Sequence, residues 1–492
     1  MNRIMIDPER TLGAIDRNIF GGFAEHLGRC IYGGIYDPDS PLSDKDGLRT
    51  DVLTALKRLR MPLIRYPGGN FVSGYRWRDG IGPVTERPAC IDLAWNDLET
   101  NRFGTNEFIR LCRKLNTEPY IAVNCGDGNM REAADWVEYC NGMRDTALVK
   151  MRRQHGFPEP HNVKYWGIGN EVDGPWQIGA KTAQEYARTF TEFAKVMKWT
   201  DPNIKLIASA VSNWEGQFVE RTQLLLEQAG NLIDYLSLHW YVGNYSNNFT
   251  EYMAVSELFE ERLNSYEGLI RAICLERKIP HPVSIAVDEW NVWYRTRSIE
   301  AGGPTRNKLE EIYNLEDALV TAMHFNAFIR HAKSVKMTNI AQIVNVIAPI
   351  FTCKDGLVLQ TIFYPFEVYS TTCGQTALDV WQTGDTFSSG KYTGVPILDV
   401  AATLDKTGKQ LALYVVNRSP DKMMETRIDL TTGRFAGTAR VMTINGPDIK
   451  AENTFDKPDQ VKNKEHTLSI DGQSIVYEFE PHSVTALVCG IS

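Results

Sequence analysis

DVLTALKRLRMPLIRYPGGN, residues 51–70, carries one unit of the fold from end to end. Asp51 to Arg60 sets Val52, Leu53, Leu56 and Leu59 on one face at helical spacing. Leu63 to Tyr66 is a short apolar run of strand length, and Gly68-Gly69 reads as a tight turn. A helix that delivers its chain into a strand is half of a parallel crossover.

Outward from this stretch the unit recurs. Eight runs read as strands: Ile19 to Ala24, Leu63 to Tyr66, Pro119 to Asn124, Val163 to Ile168, Lys205 to Ser209, Tyr235 to His239, Val283 to Val287 and Ile340 to Val346. Amphipathic stretches such as Thr105 to Leu115 and Thr182 to Trp199 lie between them. Strand–helix alternation implies a parallel sheet, and eight units imply a closed (β/α)8 TIM barrel over residues 17–370. After about Tyr369 the helical period stops. Alternating strands such as Gln410 to Val416, Ala439 to Thr443 and Ser474 to Glu480 predict a C-terminal β-sandwich over residues 371–492. Residues 1–16 contain one more strand, Arg3 to Ile6, expected to join that sandwich.

A chain of 492 residues with 43% hydrophobic content fills one large barrel and one smaller domain. The net charge of -8, with no dense basic patch, argues against a nucleic-acid partner. No apolar run approaches membrane-spanning length, so no membrane partner is expected. The opening MNRIMIDPERTLG lacks the apolar stretch of a secretion signal, and the nine cysteines form no CxxC pair. Reduced thiols and a cytoplasmic location are the expectation.

In a barrel of this kind chemistry sits at the C-terminal ends of the strands. Polar and aromatic groups gather there: Glu25-His26, Asn70, Asn124, Asn170-Glu171, His239-Trp240-Tyr241, Asp288-Glu289, and Gln342 with Asn345. Carboxylates, amides and rings suit a sugar site. Glycoside hydrolysis needs two carboxyls about 5–5.5 Å apart for retention, or about 6.5–9.5 Å for inversion. Glu171 after the fourth run and Glu289 after the seventh can converge across the mouth. Strand alternation is expected to send Asp288 and Glu289 to opposite sides, so that only one reaches the site. A charged Glu289 is expected to repel a second charge and keep Glu171 protonated.

Other readings compete. His26 and His239 lack an HExxH or Cys/His cluster, so hydrogen bonding to substrate or to site residues fits them better than metal ligation. Trp95, Trp290 and Trp293 fit a core; Trp95 and Trp293 also sit in loops after strands, where a ring can face a sugar. Cys30 and Cys125 lie near the rim without an ordered Cys-His-Asn pattern.

Five motifs carry a family resemblance: GGFAEHLGRCIYGGIYD from Gly21, RYPGGNF from Arg65, DLAWNDLETNRFGTNEF from Asp92, VKYWGIGNEVDGPWQIG from Val163 and AVDEWNVWY from Ala286. They closely resemble the α-L-arabinofuranosidases of glycoside hydrolase family fifty-one. The resemblance implies a barrel with a jelly-roll sandwich, retention of configuration, no metal or other cofactor, and a homo-oligomer, commonly a hexamer. It implies Glu171 as acid/base and Glu289 as nucleophile. It further implies that Glu25, Asn70, Asn170 and Gln342 hold the arabinofuranose hydroxyls and that Tyr241 positions the nucleophile. Trp95 and Trp293 would wall the leaving-group side. HWYVGNYSNN after the sixth strand, and Ser298 to Asn307, depart from the shared pattern, which bears on leaving-group preference. The implied substrates are arabinofuranosyl oligosaccharides from arabinan or arabinoxylan.

Overall fold

The computed structural model of the chain describes residues 2–296 and 309–492; the departing loop Ser298 to Asn307 lies outside them. Eight parallel strands close a barrel in chain order: Gly21–Phe23, Leu63–Tyr66, Glu118–Val123, Tyr165–Ile168, Lys205–Val211, Tyr235–Val242, Ser284–Val292 and Val335–Ala341. The eighth pairs back onto the first through Asn339–Ala341 and Gly21–Phe23. Helices Thr50–Leu59, Thr105–Leu115, Ala183–Thr200, Phe218–Ala229, Val255–Arg277 and Leu315–Arg330 are among those that cover its outside. Their ends obey local chemistry. Thr182 and Glu185 exchange hydrogen bonds in a capping box that starts Ala183–Thr200. Asn116, in the left-handed region, stops Thr105–Leu115.

Two strand positions differ from the sequence reading. The eighth strand is Val335–Ala341, not Ile340 to Val346. Lys336, Thr338 and Asn339 break its apolar pattern, but the last two are buried with their polar groups on the backbone carbonyls of Ile19 and Gly22. The more apolar residues 342–347 form the turn beyond it, which leaves Gln342 and Asn345 at the rim. The sixth and seventh strands run longer than expected, so Tyr241 and Glu289 lie within strands and not after them.

The seventh strand holds the larger correction. Ala286 pairs with Ser237 and Glu289 with His239, so three steps on the seventh strand match two on the sixth. This is a bulge, and a bulge re-aims a side chain. Ala286 belongs to the small cluster inside the barrel with Leu63, Tyr120, Tyr165, Ile207 and Met337. Asp288 follows it inward, and the extra residue turns Glu289 inward as well. Trp290 faces outward, stacked on His324 at 5.5 Å. Both acidic side chains therefore enter the barrel, Asp288 a layer below Glu289.

Asn2–Ala14 and eight of the C-terminal strands form one nine-stranded sheet, while Thr386–Ser389 and Tyr392–Pro396 pair separately. Asn2–Ala14 pairs antiparallel with Thr376–Thr383 and parallel with Met424–Leu430. Ile4, Leu378, Leu413, Ile428, Val441, Phe479 and Leu487 share one core, so the sheet wraps into two layers. Asp399 ties it to the barrel by accepting from Asn326 Nδ2 at 2.6 Å and pairing with Arg330 at 3.1 Å.

Candidate active site

A cavity of about 620 Å³ opens at the C-terminal mouth of the barrel. Glu25, Asn70, Trp95, Glu171, His239, Tyr241, Glu289, Trp293 and Gln342 all line it. Asn170 stands just behind, 1% exposed. The candidate site residues of the sequence thus come together, with Trp176 and Trp214 added to the wall.

Each is placed by its strand end. Gly169 and Glu171 both take positive φ, 79° and 43°, which turns the chain sharply over the mouth. For a glutamate this conformation costs about 1–2 kcal/mol, held by its surroundings. Glu171 Oε2 accepts from Trp176 Nε1 at 2.5 Å, and Oε1 lies 2.9 Å from His239 Nδ1. Glu289 Oε1 accepts from Tyr241 Oη at 2.9 Å, and Oε2 from Arg65 Nη1 at 2.9 Å. Arg65 also donates to Asn170 Oδ1 at 2.5 Å and to the Asp288 carbonyl at 3.0 Å. Glu25 accepts from Phe71 N–H at 3.1 Å, Trp95 Nε1 at 3.0 Å and Gln342 Nε2 at 2.9 Å. The Trp293 ring meets Tyr241 edge to face at 5.3 Å. Asn70 contributes its carbonyl to Gln177 at 3.5 Å and edges the cavity.

Gly68 and Gly69 bring the backbone close to the site carboxyls. A Cβ on Gly68 would come within 2.6 Å of Glu25 Cγ. One on Gly69 would stand 3.3–3.4 Å from Glu289 Oε2, Asn170 Nδ2 and Glu25 Oε2. Deeper in, a Cβ on Gly167 would approach Tyr120 Oη to 2.8 Å. The missing side chain lets that phenol reach Asp288 Oδ2 at 2.7 Å.

The charges are unequal. Burial raises Glu25, and the negative charge of Glu289 adds to it, up to about 8. Burial also opposes the charge on His239, but Glu289, Asp288 and Glu171 around it carry the imidazole up to about 10. Asp288 is pushed up by burial, yet Arg65, His239 and Ser237 hold it well below the ordinary range. The two glutamates titrate as a pair. Burial opposes ionisation of both; the hydrogen bond and charge of His239 bring Glu171 below its ordinary value, whereas burial and the Glu171 charge leave Glu289 above it. His239 lies between the two carboxyls, 2.9 Å from Glu171 and 3.5 Å from Glu289, so its charge acts on both.

Glu171, His239 and Glu289 offer ligand atoms within 4.8 Å of one another. That spacing also reflects their own hydrogen bonding, His239 Nδ1 lying 2.9 Å from Glu171 Oε1. His26 is occupied elsewhere, 2.8 Å from Glu99 and 3.0 Å from Tyr66 Oη. The Cys30 and Cys125 thiols are buried and pushed up to about 12, which removes them as nucleophiles.

Sequence reasoning missed three contributors. Arg65 is a charge at an inward position of an apolar strand, a signal that was present. Trp176 lies in the motif from Val163 but in a loop, with no period to mark it. Asp288 required the bulge.

Comparison with known proteins agrees with this architecture. Residues 55–258 match the sequence profile of an α-L-arabinofuranosidase 1 domain, and 288–483 that of the α-L-arabinofuranosidase C-terminal domain. An intracellular exo-α-(1→5)-L-arabinofuranosidase of Bacillus subtilis is 40% identical over 98% of this chain and 97% of its own. An α-L-arabinofuranosidase of Emericella nidulans is 41% identical over 98% and 96%. The arabinose complex of the Thermotoga maritima α-L-arabinofuranosidase superposes with TM-score 0.91 at 39% identity over all of both chains. A family 51 enzyme of Bifidobacterium longum gives TM-score 0.93 at 31% identity over 99% of each. With relatives of this identity along its whole length, the chain belongs to the α-L-arabinofuranosidases, glycoside hydrolases of family 51.

Proposed function

We propose that the chain is a retaining, exo-acting α-L-arabinofuranosidase that releases terminal arabinofuranose from arabino-oligosaccharides of arabinan or arabinoxylan origin. One observation carries the retaining assignment: an oxygen of Glu171 and one of Glu289 approach within 4.8 Å. That spacing supports direct attack by a carboxylate and leaves too little room for a water between the pair. The pocket form of the cavity, of a size for a sugar and its first neighbour, supports exo action.

Glu289, oriented by Tyr241 and Arg65, attacks the anomeric carbon as its bond to the leaving oxygen breaks. Glu171 gives that oxygen its proton. The arabinosyl ester on Glu289 is then cleaved by water, whose proton returns to Glu171. Glu25, Asn70, Asn170, His239 and Gln342 hold the sugar hydroxyls, and Trp95 and Trp293 wall the leaving-group side. The Gln342 Oε1 atom, buried without a hydrogen-bond partner among the described residues, supports such a contact.

Relatives from Bacillus subtilis and Halalkalibacterium halodurans are named intracellular enzymes, which supports a cytoplasmic site of action on short imported oligosaccharides. No described helix is long and apolar enough to cross a membrane. A hexamer remains the expected assembly, to be read by light scattering.

Glu289→Ala is expected to lose nearly all turnover. Glu171→Ala is expected to keep the first step on substrates with good leaving groups and to be partly rescued by azide, with an azide product of retained configuration by NMR. Normal rates in Glu289→Ala, or inverted sugar from the wild type, would overturn the reading.

A further inference from the structure

Trp293 lines the cavity one residue beyond the strand that carries Glu289. A ring there selects among leaving groups only if it is held at one angle. The indole N–H is its polar handle, a donor that accepts nothing.

The handle is held. Trp293 Nε1 donates to Thr296 Oγ1 at 2.9 Å, and that hydroxyl donates to Glu311 Oε2 at 2.9 Å. A carboxylate only accepts, so it fixes where the Thr296 hydrogen points and leaves the hydroxyl lone pairs for the indole. Glu311 is fully buried. Its Oε1 accepts from the N–H groups of Tyr294 at 3.0 Å and Arg295 at 3.1 Å, and its Oε2 from that of Thr296 at 3.4 Å. Arg295 Nη1 stands 3.8 Å away. These donors and the cation offset the cost of burying the carboxylate.

The two departing stretches of the sequence bear on this point. Thr296 stands two residues before Ser298 to Asn307 and Glu311 four residues after it, so the carboxylate joins the two ends of that stretch. From the other side, Tyr245 of HWYVGNYSNN donates its hydroxyl to the Trp293 carbonyl at 3.3 Å. Gly243 of the same stretch makes room for Tyr294, whose side chain a Cβ at 243 would strike. Tyr241 meets the Trp293 ring edge to face at 5.3 Å. Neither Thr296 nor Glu311 lines the cavity, so any effect on substrate passes through Trp293.

We propose, on the basis of the place given above to Trp293 on the leaving-group side, that Thr296 and Glu311 are positioning residues that set leaving-group selectivity by fixing the Trp293 indole. The leaving group that such a ring takes is a second sugar, laid with a C–H face on the indole. A small alcohol does not reach it. The pair takes no part in the bond changes at the anomeric carbon.

The test uses two substrates of the full chain that both depart as alcohols and so make the same demand for a proton. Methyl α-L-arabinofuranoside has a leaving group too small for the wall; an arabinofuranosyl-arabinose disaccharide does not. Thr296→Val keeps the shape and removes the hydroxyl. Its kcat/KM is expected to fall about tenfold on the disaccharide, chiefly through KM, and to stay within about twofold on the methyl glycoside. Thr296→Ser restores the hydroxyl and is expected to stay within about twofold on both. Glu311→Gln, whose amide donates where the carboxylate only accepts, is expected to show the bias of Thr296→Val; if it fails to fold, the Thr296 pair decides. Equal losses on the two substrates in Thr296→Val, or the same bias in Thr296→Ser, overturn the proposal. Trp293→Ala separates it from the reading on which it rests. Bias in Trp293→Ala with none in Thr296→Val overturns the clamp alone. If Trp293→Ala shows no bias, the place of Trp293 on the leaving-group side fails, and the clamp with it.

Discussion

Replacing Tyr241 by phenylalanine isolates one hydrogen bond to the proposed nucleophile. The phenol donates to Glu289 Oε1 at 2.9 Å, while Arg65 serves Oε2 at the same distance. A hydrogen bond to a charged group contributes about 1.5–3 kcal/mol. Tyr241→Phe removes it without moving the ring, whose packing against Trp293 at 5.3 Å needs no hydroxyl. The loss acts in two ways. The carboxylate loses a fixed orientation, and kcat/KM is expected to fall about 10–100-fold. The anion also loses stabilisation that the neutral acid never had. At 1.36 kcal/mol per pH unit, the proton affinity of Glu289 rises by about 1–2 units. Burial and the Glu171 charge already hold Glu289 above its ordinary value, so the shift adds to theirs.

The sign is then determined. Activity needs Glu289 ionised, so a raised pKa moves the acid limb of kcat/KM to higher pH by about 1–2 units. The alkaline limb, which reports loss of the acid proton, stays within about half a unit. The assay is kcat/KM against pH on p-nitrophenyl α-L-arabinofuranoside, with thermal melts confirming an unchanged fold. An acid limb that stays in place, or moves down, refutes the assignment of Tyr241 as donor to a catalytic anion.

Gly69→Ala places a methyl 3.3 Å from Glu289 Oε2 and 3.4 Å from Glu25 Oε2, where the sugar must lie. Its KM is expected to rise about tenfold or more with little change in melting temperature; an unchanged KM would show that the sugar does not approach this turn. His331 concerns stability. It comes after the helix Leu315–Arg330 and sits 2.7 Å from Glu260 and 3.0 Å from Glu267. Burial works against its charge, but the two carboxylates raise it to about 9. A raised pKa stabilises fully below about 6.5 and loses that contribution as pH climbs to about 9, about 1–3 kcal/mol in all. His331→Gln is expected to melt lower at pH 6 and to vary less than wild type between pH 6.5 and 9; parallel curves would show that this histidine is not the source.

The barrel was legible because its signals are local. Residues 51–70 already contain helix face, strand and turn, and the unit repeats at intervals that periodicity reveals. The rim was legible for a similar reason, since a polar residue that ends an apolar strand is marked by contrast. What escaped depends on pairing. The eighth strand was misplaced because the buried Thr338 hydroxyl and Asn339 Nδ2 donate to backbone carbonyls of residues 19 and 22, more than 300 positions away. Trp176 escaped because nothing in its loop's composition says that its N–H will meet Glu171.

Asp288-Glu289 shows why such a failure falls at the site. Read along one strand, neighbouring residues take opposite faces, and two adjacent acids become one inside and one outside. An outward Asp288 would face the helical shell, where Trp290 packs against His324. Inward, it meets Arg65 and the imidazole of His239. The bulge therefore exchanges one regular ladder position for a second buried carboxylate inside the barrel, below the cavity. That carboxylate offsets a cation which the glutamates need but which no single glutamate can hold once it is protonated or esterified. Without Asp288, each change of charge on Glu171 or Glu289 would alter the protonation of His239 as well. With it, the imidazole keeps a constant counter-charge below while the carboxyls above change theirs.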